Sequence, residues 1–270
     1  MLLIITVVGL LYMVYLRPFI TKMKVTEIIR VNNHLTFITG GGGNSGIITS
    51  DSLIVVIDTK MDEASENLHK EVMSMAGKRK VIVINTHWHP DHIGGNALYK
   101  NAQIIAGGSY TPESWESEAG LESMPNVWVK DQLMIPMGGD TLTVFNLKGN
   151  VHTPSDVMVY LHQQKVLFGG DVILNKQVPI LLDKANPYAY SDVLQTLPLT
   201  YDIKIVVPGH GDIGGPEIIS TFAQYFTDMY TAATHPEQEE ALVKKYRDWN
   251  QIPFFMSPAA TISLFKKYKK

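Results

Sequence analysis

The chain has 270 residues, 45% of them apolar, enough to bury a sizeable core in one large or two small domains. Its formal net charge is -3 with acids and bases interspersed, which excludes the basic stripe that nucleic-acid binding needs. The absence of cysteine excludes disulfides and thiolate metal ligands and leaves the redox compartment open.

Met1 to Leu16 carries no charged side chain, and Arg17-Pro18 closes it. Continued to Ile20 as a helix rising ~1.5 Å per residue, with Arg17 snorkelling, it reaches the ~30 Å thickness of a hydrocarbon core. Residues 1–20 therefore read as an N-terminal membrane anchor. A signal peptide whose start lies upstream and a buried terminal helix are the other readings. Arg17, Lys22 and Lys24 follow the apolar run, so the positive-inside rule expects the body of the chain to be cytoplasmic, with export as the alternative.

Residues 24–31 and 34–39 have strand patterns, and Gly40 to Gly46 reads as a flexible hairpin tip between strands. Ser52 to Asp58 is a buried strand, and Asp62 to Ala76 has helical spacing through Ala64, Leu68, Val72 and Met75, with acids at its start and Gly77 at its end. The apolar run Val81 to Ile84 leads directly into Thr86-His87-Trp88-His89-Pro90-Asp91-His92. His87 and His89 are two apart, so on an extended chain they point the same way. Pro90 forces a turn, which lets Asp91 and His92 reach a second point nearby. Four such donors crowd a single tetrahedral ion, so two ions fit the spacing better. Imidazole and carboxylate donors suit zinc first, with iron or manganese also admissible.

Further along, Ala102 to Ala106 is a buried strand and residues 109–126 read as a surface helix or lid, with Trp115 and Trp128 either lining a cleft or packing in the core. Strands follow at 141–147, 157–162, 165–168 and 203–207. Helical patterns cover 190–197, 217–230 and 236–249, and no domain boundary is visible within residues 24–270.

The HxHxDH stretch resembles the first metal motif of the metallo-β-lactamase superfamily, and the rest of that pattern follows in order. Gly149 to Asp156 resembles the second motif with His152, Leu167 to Asp171 the third with Asp171, and Val206 to Gly211 the last with His210. The resemblance implies an α+β fold, a four-layer αββα sandwich, with residues 24–270 forming one hydrolase domain that ends in helices. It further implies that His87, His89 and His152 hold one ion, that Asp91, His92 and His210 hold the other, and that Asp171 bridges them, with Asp91 as the candidate catalytic carboxylate. Asp58 resembles the family carboxylate that orients metal ligands, and Lys176 lies where a cation would meet a substrate carboxylate.

The function so implied is that of a dinuclear zinc hydrolase, two Zn2+ per chain, whose metal-bound hydroxide attacks a small carbonyl substrate: a β-lactam, lactone, ester or thioester. The missing cysteine sets aside the β-lactamase subclasses that use a thiolate ligand. A mononuclear iron enzyme resembling the sulfur dioxygenases of the same superfamily is the alternative. The expected partner is a small molecule rather than nucleic acid, with membrane association through residues 1–20.

Overall fold

A computed structural model describes residues 26–182, 185–252 and 256–268. Two sheets stack face to face. The first has seven strands in chain order: β1 (Thr26–Asn32), β2 (Leu35–Gly40), β3 (Ser45–Thr49), β4 (Leu53–Ile57), β5 (Lys80–Ile84), β6 (Gln103–Gly107) and β7 (Val127–Val129). β1 to β4 pair antiparallel, and β4 to β7 pair parallel. The second sheet orders β12 (Ile205–His210), β11 (Val166–Leu174), β10 (Val157–Leu161), β9 (Thr141–Asn146) and β8 (Gln132–Pro136). Only its β11–β12 pair is parallel.

A parallel pair needs a crossover, and α1 (Asp62–Ala76) supplies the one between β4 and β5. α2 (Pro90–Ile93) and α3 (Pro112–Ala119) lie in the two connections that follow. Outside the second sheet pack α4 (Pro187–Thr200), α5 (Glu217–Thr234) and α7 (Pro258–Lys267), while α6 (Glu239–Lys245) is a short helix after α5.

The period-two alternation explains the layering. In β4, Val55 and Ile57 face the other sheet and pack with Ile84, Val144, Val159 and Phe168, whereas Ile54 and Val56 face outward onto Leu68 and Val72 of α1. A strand covered on both faces reads as a continuous apolar run, which is why LIVVI shows no alternation in the sequence. On the far side Met158, Tyr160 and Leu167 turn outward to Tyr190, Leu194, Phe222 and Phe226. The result is the four-layer αββα sandwich expected.

Two expectations are corrected. Among the described residues no helix is long and apolar enough to cross a membrane. Residues 1–20, on which the anchor and the membrane-associated localisation rested, lie outside the described residues, and neither is retained. The glycine run is not a flexible tip either. Residues 41–48 are buried, Gly43 N donates to Asp91 O at 3.2 Å, and Asn44 N donates to Gly209 O at 2.7 Å. Of the two readings of Trp115, packing in the core is the one observed: it is fully buried against Tyr110 and Trp128, and its indole N–H donates to Ser123 Oγ at 3.1 Å.

Candidate metal centre

The strands deliver their polar residues to one edge of the sandwich. β5 stops at Ile84, and the chain then carries His87 and His89 across that edge before Pro90, in the first turn of α2, redirects it. His89 is the extended N-cap residue of α2, so Asp91 and His92 follow on a single helical turn. His152 lies in the loop between β9 and β10, Asp171 lies within β11, and His210 ends β12.

Two groups of donors result. His87, His89, His152 and Asp171 form one, and Asp91, His92 and His210 the other; within each, one donor atom from every residue lies within 4.8 Å of the others. Asp171 stands between them. Its Oδ2 is 3.6 Å from His152 Nε2, while its Oδ1 is 3.2 Å from His92 Nε2 and 3.4 Å from His210 Nε2. Asp91 Oδ2 is 3.1 Å from His210 Nε2 and 3.7 Å from His92 Nε2. These separations bracket the ~3.4 Å edge of a tetrahedron with ~2.1 Å metal–donor bonds.

The surroundings set which way each imidazole points. Asp58 is buried, accepts from Thr86 N at 2.8 Å and Thr86 Oγ1 at 2.7 Å, and lies 2.7 Å from His92 Nδ1. A carboxylate cannot donate, so His92 carries its proton on Nδ1 and turns the Nε2 lone pair inward. Thr86 Oγ1 spends its hydrogen on Asp58 and accepts from His87 Nδ1 at 3.0 Å, which frees His87 Nε2 in the same way. His87 Nε2, His92 Nε2 and Asp171 Oδ1 are buried without a hydrogen-bond partner. Orphaned, convergent lone pairs of this kind fit a divalent cation.

Without a metal the two donor groups differ in charge. Burial, aided by His92, His89 and His152, holds His87 well below the usual imidazole range, so it is a neutral donor. Burial also works against charge on His92 and His210, but Asp91, Asp58 and Asp171 outweigh it and raise His92 well above its ordinary value; Asp171 and Asp91 bring His210 to about 9. Asp91 and Asp171 resist the upward pull of burial and sit well below the carboxylate range, because His92 and His210 face them. The second group is thus held together by protons where a cation would do the same work.

Sequence reasoning missed the struts. Asp156, which burial pushes up to about 7, accepts from His152 N at 2.7 Å and from Thr153 Oγ1 at 2.7 Å, fixing the His152 loop. Asn44 Nδ2 donates to Pro208 O at 2.9 Å and Gly211 O at 2.8 Å, clamping the turn that carries His210. The glycines are spacers: a Cβ on Gly43 would overlap the His92 ring, and one on Gly209 would overlap Asp171 Oδ1. Asp156 carries a signal because it closes the second motif, Gly149 to Asp156, and Asn44 because it interrupts the glycine run. Lys176 has an exposed side chain and belongs to neither donor group.

Lys60 had no sequence signal. It is fully buried, and its Nζ donates to Gly40 O at 2.6 Å and Gly43 O at 2.7 Å. Burial brings its ammonium down from 10.5 to about 7, with Asp58 and Asp91 pulling the other way. Between these two values the unfolded chain binds the extra proton, so stability rises with pH there and the full cost of the charge is present below pH 7. Unfolding curves of wild type and Lys60→Met between pH 6 and 10.5 should therefore diverge in favour of wild type as pH rises through that window, by about 1.4 kcal/mol per unit. A constant difference across the range would remove the buried-ammonium assignment.

A type 2 metallo-beta-lactamase from Bacteroides fragilis is 26% identical over 202 residues, 71% of this chain and 80% of that one. An acyl-coenzyme A thioesterase from Gallus gallus is 24% identical over 178 residues, 56% of this chain and 64% of that one. Among solved structures, a metallo-beta-lactamase from Pontibacter korlensis superimposes with a TM-score of 0.65 at 25% identity, covering 75% of this chain and 99% of that one. With the sandwich, the two donor groups and a family model that matches residues 38–210, the chain belongs to the metallo-beta-lactamase superfamily.

Proposed function

We propose that the protein is a dinuclear, zinc-dependent hydrolase of a small carbonyl substrate: a β-lactam, lactone, ester or thioester. The observation that carries the reading is the Asp171 carboxylate, one oxygen toward His152 and the other toward His92 and His210. His87, His89, His152 and Asp171 would hold one ion, and Asp91, His92, His210 and Asp171 the other. Two zinc ions bound there would acidify a water toward neutral pH and polarise the substrate carbonyl.

The chain's own residues supply placement and access. Asp58 and Thr86 fix the proton on His92 Nδ1 and keep its Nε2 as a donor. The side chains of Asp91 and His210 are each 18% exposed, whereas those of His92 and His152 are 0% and 1% exposed. Substrate would therefore approach along the side lined by His89, Asp91 and His210, the half-buried members of the two donor groups, with Asp91 the candidate catalytic carboxylate there. The similarity to β-lactamases and to an acyl-coenzyme A thioesterase supports attack at an acyl carbon without choosing the leaving group.

Elemental analysis of the purified protein, run with a chromogenic cephalosporin, a glutathione thioester, an acyl-coenzyme A, a lactone and a phosphodiester, tests this. Two zincs per chain with turnover of one carbonyl substrate is the expected result. One iron per chain with no hydrolysis of any panel member would sink the hydrolase and favour oxygen-dependent chemistry.

A further inference from the structure

We propose that Tyr190 is a positioning residue of the metal centre: its hydroxyl joins the imidazole of His152 to the main chain of Asp171 and sets the reach of both donors. The inference rests on the metal reading above. Tyr190 OH donates to Asp171 O at 3.0 Å and lies 2.9 Å from His152 Nδ1. A hydroxyl has one hydrogen, and the carbonyl takes it, so the phenol oxygen accepts from His152 Nδ1–H. That fixes the tautomer of His152 and turns its Nε2 lone pair inward, to 3.1 Å from His89 Nδ1. Tyr190 thus does for His152 what Asp58 does for His92, with a neutral group in place of a carboxylate.

The second bond has its own cause. Asp171 falls between Gly170 and Leu174, where the register of β11 on β12 shifts, so its carbonyl lies outside the regular ladder. A buried carbonyl without a partner is costly, and Tyr190 supplies one. One side chain therefore ties together donors from two motifs that are far apart in the chain.

The hydroxyl is held where it is by the helical layer. Asn186 caps α4, accepting from Tyr188 N at 3.0 Å and Ala189 N at 3.3 Å, while its own N–H donates to Asn150 O at 2.8 Å. The start of α4 is thereby pinned two residues before His152, and Tyr190 follows one turn later. Its ring is fully buried and stacks on Phe226 of α5 at 4.6 Å between centroids, with an interplanar angle of 17°. The outer helices α4 and α5 thus reach His152 and Asp171 through the Tyr190 phenol.

Tyr190→Phe keeps the ring and its stacking and removes only the hydroxyl. Tyr225→Phe is the control: Tyr225 is equally buried on α5 and spends its hydroxyl on Thr261 Oγ1 at 2.7 Å, away from the donors. Zinc affinity by chelator competition should fall about 10- to 100-fold in Tyr190→Phe, the range for partners of metal ligands, and stay at the wild-type value in Tyr225→Phe. The visible spectrum of the cobalt-substituted protein should shift in the first variant only. Long-range 1H–15N spectra of the metal-free protein should show His152 as the Nδ1–H tautomer in wild type and as a mixture in Tyr190→Phe. Equal zinc affinity and superimposable cobalt spectra for wild type and Tyr190→Phe would overturn the inference even if both variants melt lower. A wild-type protein that binds neither zinc nor cobalt would overturn the metal reading itself, and this inference with it.

Discussion

Asp171→Ala should leave a folded protein that holds at most one zinc per chain and turns substrate over on the order of 10³-fold more slowly. The fold should survive because the side chain packs against polar donors rather than inside an apolar cluster, and because the Asp171 main-chain bond to Tyr190 does not involve the carboxylate. The second zinc should not survive, because the two donor groups lose a shared ligand oxygen and its negative charge together. Asp171→Asn separates these losses, since an amide keeps the size and one oxygen but carries no charge. Zinc per chain, turnover and a thermal melt, measured together on both variants, decide the case. Two zincs and near-normal turnover in Asp171→Ala would end the bridging assignment.

The donor groups were legible because metal chemistry leaves local marks. HxHxDH puts four of the seven donors on the exit from one strand, and two of the remaining three, Asp171 and His210, sit beside glycines that an ordinary strand would avoid. α1 was read with its observed bounds, Asp62–Ala76, because one face is apolar at a helical period and Gly77 ends it. β11 was expected to stop at Phe168 but runs on to Leu174. Gly169-Gly170 looks like a breaker, yet Gly170 has φ 51 and lies against Thr86, so the strand passes beneath the site where a larger residue would not fit. β7 and β8 were not read at all, the first having only three residues and the second being a half-exposed edge strand that ends in proline. Tyr190 and Lys60 were invisible for a different reason. An aromatic residue in a helical pattern reads as core, and a lysine after a strand reads as solvated; only the packing of distant segments gives either one a task.

Asp58→Ala should cost both stability and metal, and Asp58→Asn should separate the two. The Asp58 carboxylate is 1% exposed and holds Thr86 N, Thr86 Oγ1 and His92 Nδ1. Truncation to alanine strands these buried donors beside a cavity, which is expected to cost about 3 to 5 kcal/mol of unfolding free energy. Asparagine fills the space but offers one acceptor instead of two. If its oxygen faces His92, the amide N–H₂ is aimed at Thr86 N–H, donor against donor, and the loop carrying His87 shifts. If it faces Thr86 N, the amide donates to His92 Nδ1 instead. The imidazole must then carry its proton on Nε2, the atom that faces Asp171 at 3.2 Å and would ligate the ion. Either orientation spoils a donor, so Asp58→Asn should weaken zinc binding about 10- to 100-fold while losing less stability than the alanine variant. Chelator competition and urea melts on both variants measure the two effects separately. A folded Asp58→Asn protein with wild-type zinc affinity would mean that His92 is oriented by its neighbours' packing, and that the Asp58 carboxylate does not set the lone pair.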